Sequence, residues 1–271
     1  MKIRFSIIAA LMVLSLLWVR AAGTNDAKTE LADLVAKIQV KLKARETTAA
    51  DLAPELKQFD ALLAEHQGEK TDDVARILYM KATLYLEVLH DSATADALMK
   101  QLKTDYAGTQ LVTSLKLGEE KQKEAQRIQS TLVAGAVFPD FSEKDVSGQS
   151  VSVAGLKGKV VLVDFWATWC PPCRGEVPNV VATYNKYHDK GFEIIGVSLD
   201  QDQEKLLAYT KQQGMAWPQI FDGQGWGNKL AVKYGIESIP SSFLLDGSGK
   251  IIARDLRGEQ LEDAVAMAVG K

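Results

Sequence analysis

The feature that most constrains this chain is Cys170-Pro171-Pro172-Cys173, which contains its only two cysteines. Just before it, Val160-Val161-Leu162-Val163-Asp164-Phe165 is apolar except for one acid, the pattern of a strand buried on both faces. The stretch from Cys170 to about Lys190 reads as a helix. The cysteines therefore stand where a strand hands over to a helix. A helix N-terminus carries roughly half a positive charge and several unpaired N–H groups, and both favour a thiolate. Cys170 is thus expected to be the more acidic and more exposed sulfur. Cys173 follows one turn later, near enough to close a small disulfide ring. Pro171 and Pro172 would fill the first two helical positions and have no N–H. That leaves the Cys173 N–H as the main backbone donor to Cys170 and predicts a less extreme gain in acidity than a donor-rich dipeptide gives.

A zinc knuckle is the competing use of two close thiols, but a closed zinc site needs four ligands. The three histidines are His66, His90 and His188. At a rise of ~1.5 Å per residue, His188 would lie about 20 Å along the helix from Cys173. Copper binding by two Cys and one His fails on the same distance. No metal and no cofactor is expected.

The other end of the chain sets the compartment. Lys2 and Arg4 precede an almost purely apolar run, Phe5 to Val19, and small residues follow at Ala21-Ala22-Gly23. Residues 1–22 have the layout of a secretory signal peptide. The run is shorter than the ~20 residues that span a bilayer comfortably, so an uncleaved anchor is the weaker alternative. Either way the remainder is expected to be exported, to a periplasm or the outer side of the cytoplasmic membrane. There a close cysteine pair can persist oxidised.

The length of 271 residues suggests about two domains. A hydrophobic share of 46% and a charged share of 25% exclude a wholly disordered chain, a collagen and a multi-span membrane protein. A net charge of -3 without like-charge blocks gives no footprint for nucleic acid. Residues 25–130 lack Trp and Cys and read as an all-α domain. Leu31, Leu34, Val35, Ile38 and Leu42 share one helical face, as do Leu52, Leu56, Phe59 and Leu63. Asp72 to Leu89 is apolar enough to be wrapped by other helices. Ser92–Lys103 follows, and Lys116–Ser130 reads as a solvated helix leading into a linker. Paired helices of this kind faintly resemble a tetratricopeptide-type hairpin; an irregular bundle explains them as well.

Residues 132–271 change texture, with Val, Ile, Gly and four of the five Trp. A hairpin is predicted from Phe141–Asp145 and Ser150–Val153. Further strands are predicted at 192–198, 242–245 and 251–255, and helices at 203–213, 228–234 and 259–269. Strands alternating with helices, closed by a hairpin, imply an α/β domain with a mixed central sheet. Asp222-Gly223-Gln224-Gly225-Trp226-Gly227 is expected to be a long turn with a packed Trp; a groove border is the alternative.

The segment Val163-Asp164-Phe165-Trp166-Ala167-Thr168-Trp169-Cys170-Pro171-Pro172-Cys173-Arg174 closely resembles the active-site segment of thioredoxin-fold proteins. Gly175-Glu176-Val177-Pro178 after it, and Leu156-Lys157-Gly158-Lys159-Val160 before it, narrow the likeness to the TlpA/ResA-like branch of extracytoplasmic thiol–disulfide oxidoreductases. Ser238-Ile239-Pro240-Ser241 resembles that family's cis-proline loop, and Phe243-Leu244-Leu245-Asp246 the strand and turn behind it. The likeness covers roughly residues 135–271 and implies a thioredoxin-like fold after the helical domain.

Carried to this sequence, the resemblance implies that Cys170 attacks and Cys173 resolves, the two forming a redox-active disulfide. Pro240 would be cis and pack against the pair. The Ile239 backbone would pair with an extended substrate segment, and Trp169 would form an apolar rim. Pro178 would kink the helix, the bland alternative being a helix end at Val177. Burial should raise the pKa of Asp164 and make it a proton acceptor for Cys173. Many members of this branch carry Asn there. Glu176 is implied to tune thiol acidity. The plainer alternatives are a backbone-satisfied Asp164 and a Glu176 that is solvated or paired with Arg174.

The implied activity is reduction of disulfides in exported proteins, apocytochromes before haem attachment being one class, with a membrane thiol-reducing conduit as electron donor. Two other readings compete. A peroxiredoxin-like peroxidase would look for Thr three residues before its cysteine, where this chain has Ala167. In a binding or scaffold protein, residues 25–130 would supply the function and the redox domain would be accessory.

Overall fold

The computed structural model describes residues 26–270; the leader expected at 1–22 lies outside them. Among the described residues no helix is long and apolar enough to cross a membrane. The chain divides into two compact units at Glu119/Glu120.

The first unit is helical. Its helices are α1 (Ala27–Lys43), α2 (Ala53–Glu65), α3 (Asp72–Glu87), α4 (Ser92–Asp105) and the first part of α5 (Gln110–Thr131). Local chemistry sets the starts. Asp26, Thr71 and Asp91 accept the N–H of Thr29, Val74 and Thr94, caps worth about 1 kcal/mol each. Helix α3 packs on α1, α2 and α4. It buries Val74, Ile77, Leu78 and Leu84 against Leu34, Ile38, Phe59 and Leu102. Val35 and Leu42, expected on the inward face of α1, are only partly buried.

Helix α5 begins earlier than the composition of 116–130 suggests. Thr109 accepts the N–H of Val112, and Asp72 accepts that of Leu111. These two side chains satisfy a helix start that the polar tract downstream does not advertise. The division between the units falls inside this helix, ahead of the boundary expected at 130–132.

The second unit contains a five-stranded sheet whose strands lie in the order Gln219–Phe221, Phe192–Ser198, Val160–Trp166, Ser241–Leu245 and Ile251–Arg254. Its strands are β3 (Val160–Trp166), β4 (Phe192–Ser198), β5 (Gln219–Phe221), β6 (Ser241–Leu245) and β7 (Ile251–Arg254). A separate short hairpin of β1 (Glu143–Lys144) and β2 (Ser150–Val151) precedes it and is smaller than expected. Strands β3, β4 and β5 are mutually parallel, whereas β6 runs antiparallel to β3 and β7 antiparallel to β6. Strand β5 went unforeseen; it is three residues long and holds only Ile220 and Phe221 as apolar signal.

Helices α6 (Pro171–Tyr187), α7 (Gln203–Gln213), α8 (Lys229–Lys233) and α9 (Glu259–Val269) complete the unit, and α9 packs on α6. Helix α6 runs through Pro178 rather than ending before it. The remainder of the expected helix, His188–Lys190, is a 3-10 turn closed by Gly191. Val163, Phe165, Ile194, Ile195, Val197 and Phe243 are fully buried, as befits strands covered on both faces.

The last turns of α5 also belong to this unit. Gln129 donates to the Tyr234 carbonyl, and Arg254 donates to the carbonyls of Gln129 and Leu132. Gly235 has φ +62°, and a Cβ there would come within 2.6 Å of the Ala125 carbonyl oxygen. Only glycine fits that close approach without strain.

Candidate active site

Strand β3 ends at Trp166, and a tight turn delivers Cys170 to the start of α6. The Cys170 N–H donates to the Ala167 carbonyl at 3.2 Å. The turn is held from below by Asp200, buried just after β4. Its carboxylate accepts the Thr168 N–H at 3.1 Å and the Thr168 hydroxyl at 2.6 Å, and it also accepts the Ser198 hydroxyl at 2.8 Å.

Cys170 is the N-cap of α6 and forms a disulfide with Cys173. The Cys173 N–H donates to the Cys170 Sγ at 3.2 Å, and Pro171 and Pro172 occupy the first two helical positions. One backbone donor therefore serves this sulfur. The Ile239 carbonyl oxygen lies 3.7 Å from the same Sγ, and the Ile239–Pro240 bond is cis.

In the disulfide form both cysteines are buried, Cys170 at 3% exposure and Cys173 at 2%. The loop carrying Ile239 comes down over Cys170, a contact between segments 69 residues apart that the local sequence does not encode. Exposure lies instead in the rim. Trp169 is 49% exposed and Trp226 48%, with ring centroids 6.0 Å apart. Trp226 is thus not the packed turn residue expected. Trp169 is steadied by its indole N–H, which donates to the Leu199 carbonyl at 3.2 Å.

Behind Cys173 lies a cavity of about 20 Å³, enough for about one water molecule. Its lining includes Asp164, Cys173, Glu176, Pro240, Ser242 and Arg257. Asp164 sits mid-strand in β3, in register with Gly196 of β4 and Ser242 of β6. The residue is half-buried, and its carboxyl faces the cavity. Burial is the main cause that pushes the carboxyl up to about 7; the Arg257 cation opposes this, and Glu176 and Asp255 add to it. Its carboxylate has no hydrogen-bond partner among the described residues, unlike that of Glu176. Glu176 Oε2 accepts the Gly258 N–H at 3.0 Å and the Asn179 amide at 3.4 Å. Gly258 has φ +53°, a conformation that suits glycine and aims its N–H at Glu176.

The fold thus gathers Asp164, Cys173, Glu176 and Pro240 around one cavity, with Ile239 and Trp169 beside Cys170. Asp200 and Arg257 went unforeseen because neither lies in a motif. A lone acid after β4 and a lone Arg after β7 acquire meaning only through tertiary contacts. Among the described residues no cluster of His, Cys, Asp and Glu could hold a metal ion.

A family model described as Redoxin matches residues 133–268. The chain belongs to the Redoxin family. Among similar proteins is the thiol-disulfide oxidoreductase ResA of Bacillus thuringiensis (strain Al Hakam). It is 36% identical over 129 residues, which cover 48% of this chain and 72% of that relative. ResA of Bacillus subtilis (strain 168) is 29% identical over 118 residues, covering 44% and 64%. Among solved structures, the thioredoxin domain of a thiol-disulfide oxidoreductase from Bacteroides vulgatus is 38% identical. It covers 51% of this chain and 99% of that one, with a TM-score of 0.47. A thiol:disulfide interchange protein from Bacteroides sp. is also 38% identical, covering 52% and 93%, with a TM-score of 0.47. The second unit has the thioredoxin-like fold, and the chain is a thiol–disulfide oxidoreductase.

Proposed function

We propose that this Redoxin-family chain is an exported protein-disulfide reductase that works through a Cys170–substrate mixed disulfide. The observation that carries the reading is the placement of the pair. One sulfur caps a helix under the Ile239 carbonyl, and the other backs onto a water-sized cavity holding an unpartnered carboxyl.

The reduced form acts in two displacements. The Cys170 thiolate, favoured by the helix N-terminus and the Cys173 N–H, attacks one sulfur of a substrate disulfide. The first substrate sulfur leaves as thiolate and takes a proton. Asp164, ionised in a good fraction of molecules at neutral pH, then accepts the Cys173 proton through the cavity. The Cys173 thiolate attacks the Cys170 Sγ, forms the intramolecular disulfide and expels the second substrate sulfur. Two electrons pass to substrate, and a membrane thiol-reducing conduit returns them. The Ile239 backbone would pair with the substrate, Pro240 would pack against the cysteine pair, and Trp169 would form an apolar rim around the sulfurs.

The signal-peptide-like layout of residues 1–22 supports export, to a periplasm or the outer face of the cytoplasmic membrane. Substrates would be disulfide-containing exported proteins, and apocytochromes awaiting haem are the class suggested by the likeness to the TlpA/ResA branch.

A Cys173→Ser variant expressed with its leader tests the reading. Mixed disulfides through Cys170 should accumulate, and mass spectrometry should find exported proteins in them. Their absence, with Cys170 free and reactive, sinks it. The direction is tested by the reduction potential of the pair; a value above about -150 mV would make the chain an oxidant.

A further inference from the structure

We propose that Arg257 is a positioning residue for the proton transfer: its fixed cation keeps the Asp164 carboxyl able to take the Cys173 proton. The inference rests on Asp164 being that acceptor.

Arg257 follows β7 and reaches into the site. Its guanidinium donates to the Pro240 carbonyl at 2.6 Å, to the Leu256 carbonyl at 2.7 Å and to the Ser242 hydroxyl at 3.3 Å. All three acceptors are neutral. The fork is pinned in place, yet among the described residues no carboxylate within salt-bridge reach neutralises it. Among the described residues it is the one cation on a cavity wall that also holds Asp164 and Glu176.

The charged groups facing Asp164 come from two other segments. Glu176 on α6 is engaged by Gly258 and Asn179. Asp255, after β7, accepts the Ser241 hydroxyl and the Ser242 N–H. Arg257 completes the set; Gly196 and Ser242, beside Asp164 in the sheet, are neutral. Two acids and burial thus hold the Asp164 proton on, and one guanidinium works against them.

That balance decides the second displacement. Cys173 must lose its proton to Asp164 before its sulfur can attack Cys170. The Cys170–substrate bond then breaks, its electron pair leaves on the substrate sulfur, and that thiolate takes a proton from water. An Asp164 that is already protonated offers no acceptor. Arg257 also grips the carbonyl of the residue that follows Ile239, so one side chain braces the substrate loop and serves the proton site.

The full chain reacted with the aromatic disulfide dithiobis(nitrobenzoate) tests this. The reduced protein releases one coloured thiolate on attack by Cys170 and a second when Cys173 resolves the adduct. The rate of the second release is followed against pH. Arg257→Gln keeps hydrogen-bonding capacity and removes charge. It should slow the second release about fivefold at pH 7 and move the profile's midpoint up by about one unit. Arg257→Lys should keep the midpoint near the wild-type position. In an Asp164→Asn background Arg257→Gln should move nothing further, since it acts through that acid. Arg257→Met serves as a second neutral variant if Arg257→Gln does not fold. A folded neutral variant with an unmoved midpoint overturns the proposal. So do equal shifts for Gln and Lys, or the same shift in the Asn background. If Asp164→Asn alone leaves the second release unslowed, Asp164 is not the acceptor, and that assignment falls together with this one.

Discussion

The two units treat buried charge in opposite ways. In the helical unit, three interior charges come with oppositely charged partners, although the Arg76 Nε is buried without one. Lys41 donates to the Glu55 carboxylate at 2.8 Å, Lys81 pairs with Asp60, and His66 lies between Glu30 at 2.9 Å and Glu69 at 3.0 Å. In the redox unit, the Asp164 carboxyl faces a cavity with no hydrogen-bond partner among the described residues, and the Arg257 cation nearby leans on neutral acceptors. Paired charges fix a helix in place and are costly to break; an unpaired carboxyl destabilises its surroundings and survives where its proton is used.

The sharpest test of that contrast is Cys170→Ser. Disulfide reduction by the full chain should fall to background while the melting of the helical unit stays put, read by insulin-disulfide turbidity and circular dichroism. Residual reduction well above background would mean the chemistry lies elsewhere.

Asp164→Asn comes next. An acid whose folded pKa is about 7, against an ordinary value of 3.8, is penalised in the folded state once ionised. Its cost is absent below about pH 4, grows as pH rises and is complete above about pH 7. The Asn variant should therefore match wild type in acid and gain up to about 4 kcal/mol by pH 8, measured by urea unfolding. A loss of stability at pH 8 would mean that Asp164 is satisfied after all.

The opposite sign is expected for Lys41→Met, which leaves the buried Glu55 carboxylate without its partner. It should cost about 1–3 kcal/mol, and much of this should return in Lys41→Met/Glu55→Leu. The smallest effect is expected for His66→Gln. Hydrogen bonds to Glu30 and then Glu69 raise the His66 pKa above 6.5. Its stabilisation is therefore full below that value and lost as pH rises through the folded one. A deficit of about 1 kcal/mol or less near pH 5.5 should vanish in alkali.

The strand–turn–helix at Cys170 was legible because local rules suffice there: an apolar run, helix-starting prolines and sulfur spacing point one way. Helix faces such as Leu31, Leu34 and Ile38 were legible for the same reason. Strand β5 was not, because Gln219–Phe221 takes its strand geometry from pairing with β4. The early start of α5 depends on Asp72, 39 residues away, accepting the Leu111 N–H. The burial of Cys170, the brace at Asp200 and the reach of Arg257 all join segments distant in sequence, where residue patterns carry no information about contact.

The proline pair deserves a last consequence. With two ring nitrogens ahead of Cys173, the attacking sulfur leans on a single amide. Replacing either ring residue would add a backbone N–H at the helix start beside that sulfur. The reduction potential of the Cys170–Cys173 pair should therefore shift when either proline is replaced.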